Sequence, residues 1–404
     1  MLRSCKVITT VKNKSKEVIV MINKLNEILS IYEEKHLDFF FLHSKEELNN
    51  YKELLLDKVG LNTKEDLFYI VKLILKYMLG GLDTHTDIRY GRGRSSGLEF
   101  RIINGNLYTI RTSEEFSDYN YMKLVGINGV DIKTIIEEIS KITNYSVQEE
   151  LNNTIEYYIN CLLLDRIPMF RNCDILRFNF TDGINLDYDI NSEYSVRHKI
   201  GDNCSYKIIN NAIIFQYIAC MEPREGYLKE TVEKMKKEIQ ANGIENFVID
   251  LRYNRGGNSA IINPLLEYLK ESNLNIITFT NKYIYSSGAL AVNDFKNIGS
   301  ISIGTGIGTK FNHFGDITFT EGKIDDTEYR MPISFQYFYL GDNGEIEGVS
   351  TKDELHKLSK DKFEQKEFEP DIFVNETIED MKEDRDVYLE ALYEYLNKEK
   401  SHKV

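Results

Sequence analysis

Apolar residues in the first fifth of the chain recur at intervals of three and four. EVIVMINKLNEILSIY and LFYIVKLILKYML both show this spacing, which is typical of helices that bury one face. Residues 16–80 are therefore predicted to be helical. The next stretch, GGLDTHTDIRYGRGRSSG, is rich in Gly, Asp and Ser and is predicted to be a loop.

Strand signals follow this loop. LEFRIINGNLYTIRT, residues 98–112, predicts a hairpin that turns at Asn104 and Gly105. KLVGINGVDIKTIIEEISKI predicts a short strand, a second Asn-Gly turn and an amphipathic helix. A further helix is predicted through residues 147–165.

The pattern changes between residues 205 and 303, where apolar strands alternate with helices. The predicted strands are YKIINNAIIFQYI, NFVIDL, NIITFT and ISIGTG, and the predicted helices are GYLKETVEKMKKEIQANG, NPLLEYLKES and SSGALAVNDFKN. This alternation predicts an α/β fold with a mostly parallel sheet covered by helices. The last third is predicted to be rich in strands, with a final helix near residues 377–398.

Length and composition allow more than one compact unit. The chain has 404 residues, of which 42% are hydrophobic. No Pro-rich or Gly/Ser-rich linker marks a boundary. We divide the chain into a helical region at 1–80, a middle region at 81–200 and a core region at 201–404.

The net charge and the spacing of the cysteines argue against some classes of partner and binding site. A formal net charge of −14 disfavours a nucleic-acid partner, because phosphate binding needs a basic surface. The five cysteines are widely spaced and form no CxxC pair, so neither a disulfide framework nor a zinc site is expected. The first residues lack the pattern of a signal peptide, and no apolar run approaches the roughly 20 residues of a membrane span. We therefore expect a cytoplasmic protein.

Two glycines directly follow the apolar strand NFVIDL, in the segment DLRYNRGG. Ligands of open α/β sheets bind beyond the carboxyl ends of the strands. A pair such as Gly256 and Gly257 lets backbone N–H groups approach a reacting atom and stabilise an oxyanion. The alternative is a strand-to-helix turn that needs glycine only for its conformation.

The segment YIYSSGALA places Ser286 where an apolar run ends and a small-residue helix begins. A serine there can expose its hydroxyl at the helix N-terminus, with the N–H of Ser287 facing an oxyanion. Capping of the helix is the alternative. A serine nucleophile needs a base, for which His85 in GLDTHTDI is the main candidate and His313 its competitor. A lone histidine is more often structural than catalytic.

Together these motifs resemble the C-terminal processing (tail-specific) serine peptidases, whose superfamily includes the tricorn core and the chlamydial protease-like factor. DLRYNRGGNS, YSSGALA, IGTGIG and FEPDIFV occur in the order of the family, and LGGLDTHTDI matches its Asp-x-His-Thr loop. The match covers about residues 68–398. It implies a ClpP/crotonase-like ββα superhelix core, with YMKLVGINGVDIKTIIEEI as part of a reduced PDZ-like module.

The resemblance also implies roles for individual residues. Ser286 corresponds to the nucleophile, and Gly257 and Ser287 to the oxyanion-hole donors, with Gly256 as a less favoured donor. Many members have Glu three positions after the serine, whereas this chain has Ala289.

The identity of the base differs between two branches of the family. The Ser–His–Glu branch, which we favour, implies His85 as the base. The Ser–Lys branch implies Lys310, which stands six residues after Gly304 as that branch requires. The orienting acid of the first branch precedes the Pro-Asp motif, where both Glu347 and Glu364 are candidates.

We therefore predict a serine peptidase that cleaves peptides or protein C-terminal regions and needs neither a metal nor an organic cofactor. A catalytically inactive protein that binds peptides on the same fold is the first alternative. An acyl-CoA enzyme of the crotonase type is the second, although it would not explain the Asp-x-His loop or the Pro-Asp motif.

Overall fold

The computed structural model describes residues 16–91, 93–192, 194, 202–364 and 367–402. The predicted absence of a signal peptide concerns the N-terminal segment, which lies outside these residues. The α-helices are α1 (Lys16–Lys35), α2 (Lys45–Lys58), α3 (Lys64–Leu79), α4 (Ile132–Lys141), α5 (Gln148–Asn160), α6 (Tyr227–Asn242), α7 (Asn263–Lys270), α8 (Ser287–Asn297), α9 (Lys352–Leu355), α10 (Ile378–Lys382) and α11 (Val387–His402). Among these helices, none is both long and apolar enough to cross a membrane.

The predicted alternation of strands and helices forms a six-stranded sheet. Its strands, in spatial order, are β16 (Ile372–Phe373), β12 (Ile301–Gly304), β11 (Asn275–Thr280), β10 (Asn246–Asp250), β9 (Ala212–Gln216) and β8 (Ser205–Ile209). All neighbouring pairs are parallel except β8 with β9. Helices α6, α7 and α8 connect β9, β10, β11 and β12 in turn. The carboxyl ends of β10 and β11 therefore lie side by side, and the two predicted motifs follow them.

Both faces of this sheet are covered at its centre, which explains why β9 and β10 are rich in apolar residues and buried at nearly every position. Phe247 and Ile249 pack into one core with helices α6, α7 and α8, whereas Val248 packs into another with Leu392 of α11. Successive residues of β10 thus point to opposite sides of the sheet and are buried on both.

Two antiparallel sheets complete the architecture. The first contains β2 (Leu98–Ile103), β3 (Asn106–Thr112), β4 (Lys123–Ile127), β6 (Ile175–Phe180) and β7 (Asn185–Asp189), with β5 (Val130–Asp131) paired to β4; the second contains β1 (Arg89–Tyr90), β14 (Thr327–Leu340) and β13 (His313–Ile324), with β15 (Ile346–Val349) paired to β14. The predicted hairpin is confirmed as β2 and β3, which turn through positive φ at Asn104 and Gly105.

Helix α3 leads the chain to the predicted histidine loop. Thr63 caps its N-terminus and Asp66 returns a hydrogen bond to the cap, forming a capping box. The helix buries most of its length against α1, α2 and the strand pair β13–β14. It ends at Gly80, whose φ of +54° turns the chain out of the helix and into residues 81–88.

The C-terminal region differs from the prediction in one element. A single helix near residues 377–398 was expected, but α10 ends at Lys382 and α11 begins at Val387. Asp384 between them has a φ of +52°, which no α-helix tolerates. The overall architecture is a mixed α/β fold with several sheets.

Candidate active site

Ser286 lies at the turn between strand β11 and helix α8. Its φ of 55° and ψ of −133° are strained for a residue with a side chain, at a cost of about 1–3 kcal/mol. Hydrogen bonds on both sides hold this conformation: Tyr285 N–H donates to Asn254 O (2.9 Å), and Ala289 N–H donates to Ser286 O (2.8 Å). Ser286 Oγ itself has no hydrogen-bond partner among the described residues, so its hydroxyl is not used as a helix cap.

The glycine pair after β10 packs directly against this turn. Asn254, which is completely buried, accepts the N–H of Gly256 on its side-chain oxygen (2.9 Å) and donates to Tyr217 O (2.8 Å). A Cβ atom on Gly256 would lie 2.8 Å from Ser286 Cβ. Glycine is therefore required for the approach to Ser286.

Gly257 joins the turn to a neighbouring segment. Cys220 N–H donates to Gly256 O (2.9 Å), and Asn258 N–H donates to Cys220 O (2.8 Å), so that the two segments pair like parallel strands. Ser287 Oγ donates to Gly257 O (2.7 Å). In the part of the chain that the structure describes, the N–H groups of Gly257 and Ser287 have no acceptor. Two free donors thus lie beside Ser286.

The tight contact predicts a measurable stability cost for a side chain at Gly257. A Cβ there would lie 2.4 Å from Cys220 O, at a φ of +138°. We expect Gly257→Ala to lower the free energy of unfolding by about 2–4 kcal/mol, measured by urea denaturation. Gly243→Ala is the control, because Gly243 has a φ of +59° with open space around its Cβ, so that only about 1–2 kcal/mol should be lost. Equal losses in the two variants would contradict the close approach.

The predicted histidine loop is fixed by a buried carboxylate. Asp83, with no exposed surface, accepts the N–H groups of His85 (2.8 Å) and Thr86 (3.0 Å) and the hydroxyl of Ser334 (3.0 Å). Its second oxygen lies 2.9 Å from Nε2 of the buried His36. Burial is the largest single effect and opposes ionisation of Asp83, but the hydrogen bond and charge of His36 together with the hydrogen bonds from Thr86 outweigh it and lower the pKa to about 2. The carboxylate therefore positions the loop rather than titrating near neutral pH.

His85 contacts the residue that precedes Ser286. Its ring stacks on Tyr285 with centroids 4.6 Å apart, and its Nδ1 lies 3.1 Å from the Tyr285 hydroxyl. On its other side lies the ring of His313, 5.3 Å away, whose Nδ1 donates to Phe311 O (2.8 Å). Burial, reinforced by His313, lowers the pKa of His85 to about 3, so the ring is neutral at physiological pH. The buried Nε2 has no partner among the described residues.

The tyrosine links His85 to a carboxyl group that sequence reasoning missed. The Tyr285 hydroxyl lies 2.8 Å from Thr84 Oγ1, and the Thr84 side chain is close enough to Glu150 of α5 to lower the pKa of that carboxyl. Burial outweighs this effect and the hydrogen bonds from Ser146, and raises the pKa of Glu150 to about 7. Tyr285 was visible in the motif beside Ser286, but no spacing pointed to Glu150.

Three other predicted residues lie apart from this cluster. Glu347, on β15, accepts a hydrogen bond from the Tyr339 hydroxyl, and Glu364 is exposed and pairs with Lys360 at 2.9 Å. Neither contacts His85 in the described structure. In the described structure, Lys310 contacts the residues around His85 only through its backbone carbonyl. That oxygen lies 3.0 Å from Nδ1 of His313. The structure thus brings together Ser286, Ser287, Gly256 and Gly257, and places His85 against Tyr285.

A cavity of about 530 Å³ adjoins the cluster, with Tyr285 and Arg255 in its wall. These two residues precede Ser286 and Gly256 in the chain, so the cavity lies next to the serine turn. Among the described residues, no group of three or more His, Cys, Asp or Glu side chains is arranged to hold a metal ion.

Comparison with known proteins gives similarity in structure but none in sequence. No family model matches the chain, and no curated protein matches it. Mature CPAF complexed with lactacystin has a TM-score of 0.56 at 11% identity, covering 95% of this chain and 98% of its own; a CPAF mutant has a TM-score of 0.58 at 8% identity, covering 91% and 95%. The photosystem II D1 C-terminal processing protease has a TM-score of 0.42 at 11% identity, covering 90% and 94%. At such identities the likeness concerns the fold alone, and the fold that the chain shares with CPAF confirms the predicted resemblance at the level of the fold.

Proposed function

We propose that the chain is a serine peptidase in which Ser286 is the nucleophile, His85 the base, and the N–H groups of Gly257 and Ser287 the oxyanion hole. One observation carries this proposal: the strained backbone of Ser286 presents a hydroxyl that, like the two backbone donors beside it, has no hydrogen-bond partner among the described residues. A residue kept in an unfavourable conformation by its surroundings is a marker of a functional site. The fold shared with CPAF supports the same class of reaction.

The steps follow from this arrangement. Ser286 Oγ attacks the carbonyl carbon of the scissile peptide bond while its proton passes to Nε2 of His85, and Gly257 and Ser287 donate to the oxyanion. Collapse of the tetrahedral intermediate breaks the C–N bond, and the proton on His85 goes to the leaving amine. Water then attacks the acyl-enzyme with His85 again as base, which releases the acid and restores Ser286. Gly256 provides close approach rather than a donor, because its N–H is bonded to Asn254.

His85 needs to keep its Nε2 lone pair free. A chain of two donors is consistent with this: Nδ1–H of His85 donates to Tyr285 and the Tyr285 hydroxyl donates to Thr84, whose side chain lies near Glu150. We infer that Glu150 takes the orienting role for which Glu347 and Glu364 were the candidates. Burial and the nearby Glu150 charge keep the pKa of Tyr285 well above its usual value, so its hydroxyl remains a donor.

The resemblance implies two structural units, a crotonase-like core and a PDZ-like module, and we assign each to a part of this fold. We assign the crotonase-like core to the parallel sheet with α6, α7 and α8, whose strand ends carry Ser286 and Gly257. We assign the PDZ-like module to the antiparallel sheet from β2 to β7 with α4 and α5, which has a hydrophobic core of its own. A cytoplasmic location remains part of the proposal.

Labelling with a fluorophosphonate tests the proposal, with intact-mass spectrometry as the readout. We expect one adduct on the wild-type chain, mapped by digestion to Ser286, and none on Ser286→Ala. Ser287→Ala is the matched control, since it removes the neighbouring hydroxyl but keeps the backbone donor, and it should still be labelled. A folded wild-type protein that is never labelled, or an adduct that persists in Ser286→Ala, would favour the alternative of an inactive peptide-binding protein.

A further inference from the structure

The cavity beside the serine turn has an unusual charge for this protein. Four cationic side chains line it, namely Lys72, Arg89, Arg166 and Arg255, against two carboxylates, Asp87 and Glu150. The chain as a whole carries a formal net charge of −14. A concave, locally cationic wall in an acidic protein attracts anionic ligands selectively.

The two carboxylates of the wall already form an ion pair or hydrogen bonds with other groups. Asp87 pairs with the buried Lys72 at 2.6 Å, and Arg89 lies 4.0 Å from the other oxygen of Asp87. Glu150 accepts two hydrogen bonds from Ser146, at 2.7 Å and 3.0 Å. Among the described residues, the other two arginines of the wall, Arg166 and Arg255, form no ion pair within 4 Å with either carboxylate.

Arg166 is the more constrained of these arginines. It is 8% exposed, donates to Tyr90 O (2.6 Å), and lies over the rings of Tyr90 and Tyr158 at 4.7 Å and 5.9 Å. No carboxylate lies within 4 Å of it in the described residues. Asp165, the preceding residue, attracts the guanidinium only from beyond 4 Å. A buried guanidinium without a directly paired carboxylate is costly, and an anionic ligand in the cavity would compensate it.

Arg255 connects the cavity to the reacting centre. It directly precedes Gly256, is exposed, and lies over the ring of Tyr283 at 5.5 Å, again without a carboxylate partner in the described structure. Stacking on the tyrosine restricts the guanidinium and leaves its N–H edge available for a bidentate contact.

We propose that this cavity binds a carboxylate of the substrate peptide close to the scissile bond, with Arg255 and Arg166 as its recognition groups. The inference rests on the proposed function, since it assigns a substrate class to the same site. The carboxylate comes either from an Asp or Glu side chain or from the free C-terminus of the peptide, and both present the same two oxygens to a guanidinium. The volume of about 530 Å³ lies within the usual range for binding pockets.

The test measures binding rather than turnover, with the full-length Ser286→Ala protein and three alanine-based heptapeptides. One has a central Glu and one a central Gln, both blocked at each end; the third is all alanine with a free C-terminus. We expect the Glu peptide, the free C-terminus peptide or both to bind at least about tenfold more tightly than the Gln peptide. Preference for the Glu peptide identifies a side-chain carboxylate, and preference for the third identifies a terminal one.

Variants of the arginines decide whether the cavity is responsible. Arg255→Gln should reduce the preference to less than about threefold, and Arg166→Lys should weaken it while keeping the buried charge. Arg224→Gln is the control, because Arg224 is an exposed arginine that pairs with Glu230 away from the cavity, and the preference should persist. Equal binding of all three peptides, no binding of either carboxylate peptide, or a preference that survives Arg255→Gln would overturn the proposal. Fluorophosphonate labelling of the wild type remains a separate readout of the nucleophile.

Discussion

Alanine in place of His85 will slow the phosphonylation of Ser286 by a fluorophosphonate, in which Oγ displaces fluoride from phosphorus, by about 10²–10⁴-fold. Transfer of a proton to a positioned base contributes a factor of this size, and His85 is the histidine whose ring contacts the residue beside Ser286. Its buried, unpartnered Nε2 is neutral at neutral pH, because the pKa is held near 3. The measurement is the second-order rate constant of labelling at pH 7.5, with the fold checked by circular dichroism.

Three further variants separate the base from its neighbours. Lys310→Ala should change the rate by less than about threefold, because the described contact of Lys310 uses only its carbonyl. Tyr285→Phe keeps the stacked ring but removes one hydrogen bond to His85, and a loss of about tenfold is expected. Added imidazole should restore part of the rate of His85→Ala. A large loss in Lys310→Ala with His85→Ala unaffected would move the role of base to the lysine.

Much of the serine turn could be predicted from the sequence because its signals are local. An apolar strand followed by glycines, or by serines and small residues, specifies a strand-to-helix junction within ten residues. The parallel register then places the ends of β10 and β11 side by side, since Asp250 pairs with Phe279. The proximity of Gly256 to Ser286 follows from this register and from the position of β10 beside β11, which the structure shows.

The groups around His85 could not be predicted, because they come together only through tertiary packing. Glu150 stands in a helix whose sequence shows amphipathic spacing and no chemical motif, yet its carboxyl reaches Thr84 from a different layer. His36 stands in a charged stretch of the sequence with no motif around it, yet it is 3% exposed and hydrogen-bonds to Asp83, 47 residues away in the chain. The choice of Glu347 and Glu364 used chain order alone, and strand pairing and an exposed ion pair direct both elsewhere.

Burial shifts the pKa values of His85 and Glu150 in opposite directions. His85 has a folded pKa of about 3, below its ordinary 6.5, so the stability it contributes is present above pH 6.5 and is lost as the pH falls toward 3. Glu150 has a folded pKa of about 7, above its ordinary 4.5, so its contribution is present below pH 4.5 and is lost as the pH rises toward 7. Between pH 4.5 and 6.5, the free energy of unfolding rises with pH because of His85 and falls with pH because of Glu150. The two contributions therefore cancel in the wild-type protein.

Single substitutions should reveal the pH dependence that each group alone gives to the free energy of unfolding. Between pH 6.5 and 5.0, one uncompensated proton changes the free energy of unfolding by about 2 kcal/mol. Relative to the wild type over the same interval, we expect Glu150→Gln to lose about 2 kcal/mol more and His85→Gln to gain about 2 kcal/mol, both measured by urea denaturation at the two pH values. The double variant is the control and should follow the wild type, because every other titrating group is common to all four proteins. Slopes that match the wild type in both single variants would show that these side chains titrate as they do in the unfolded chain, which would remove the buried neutral imidazole that the proposed base requires.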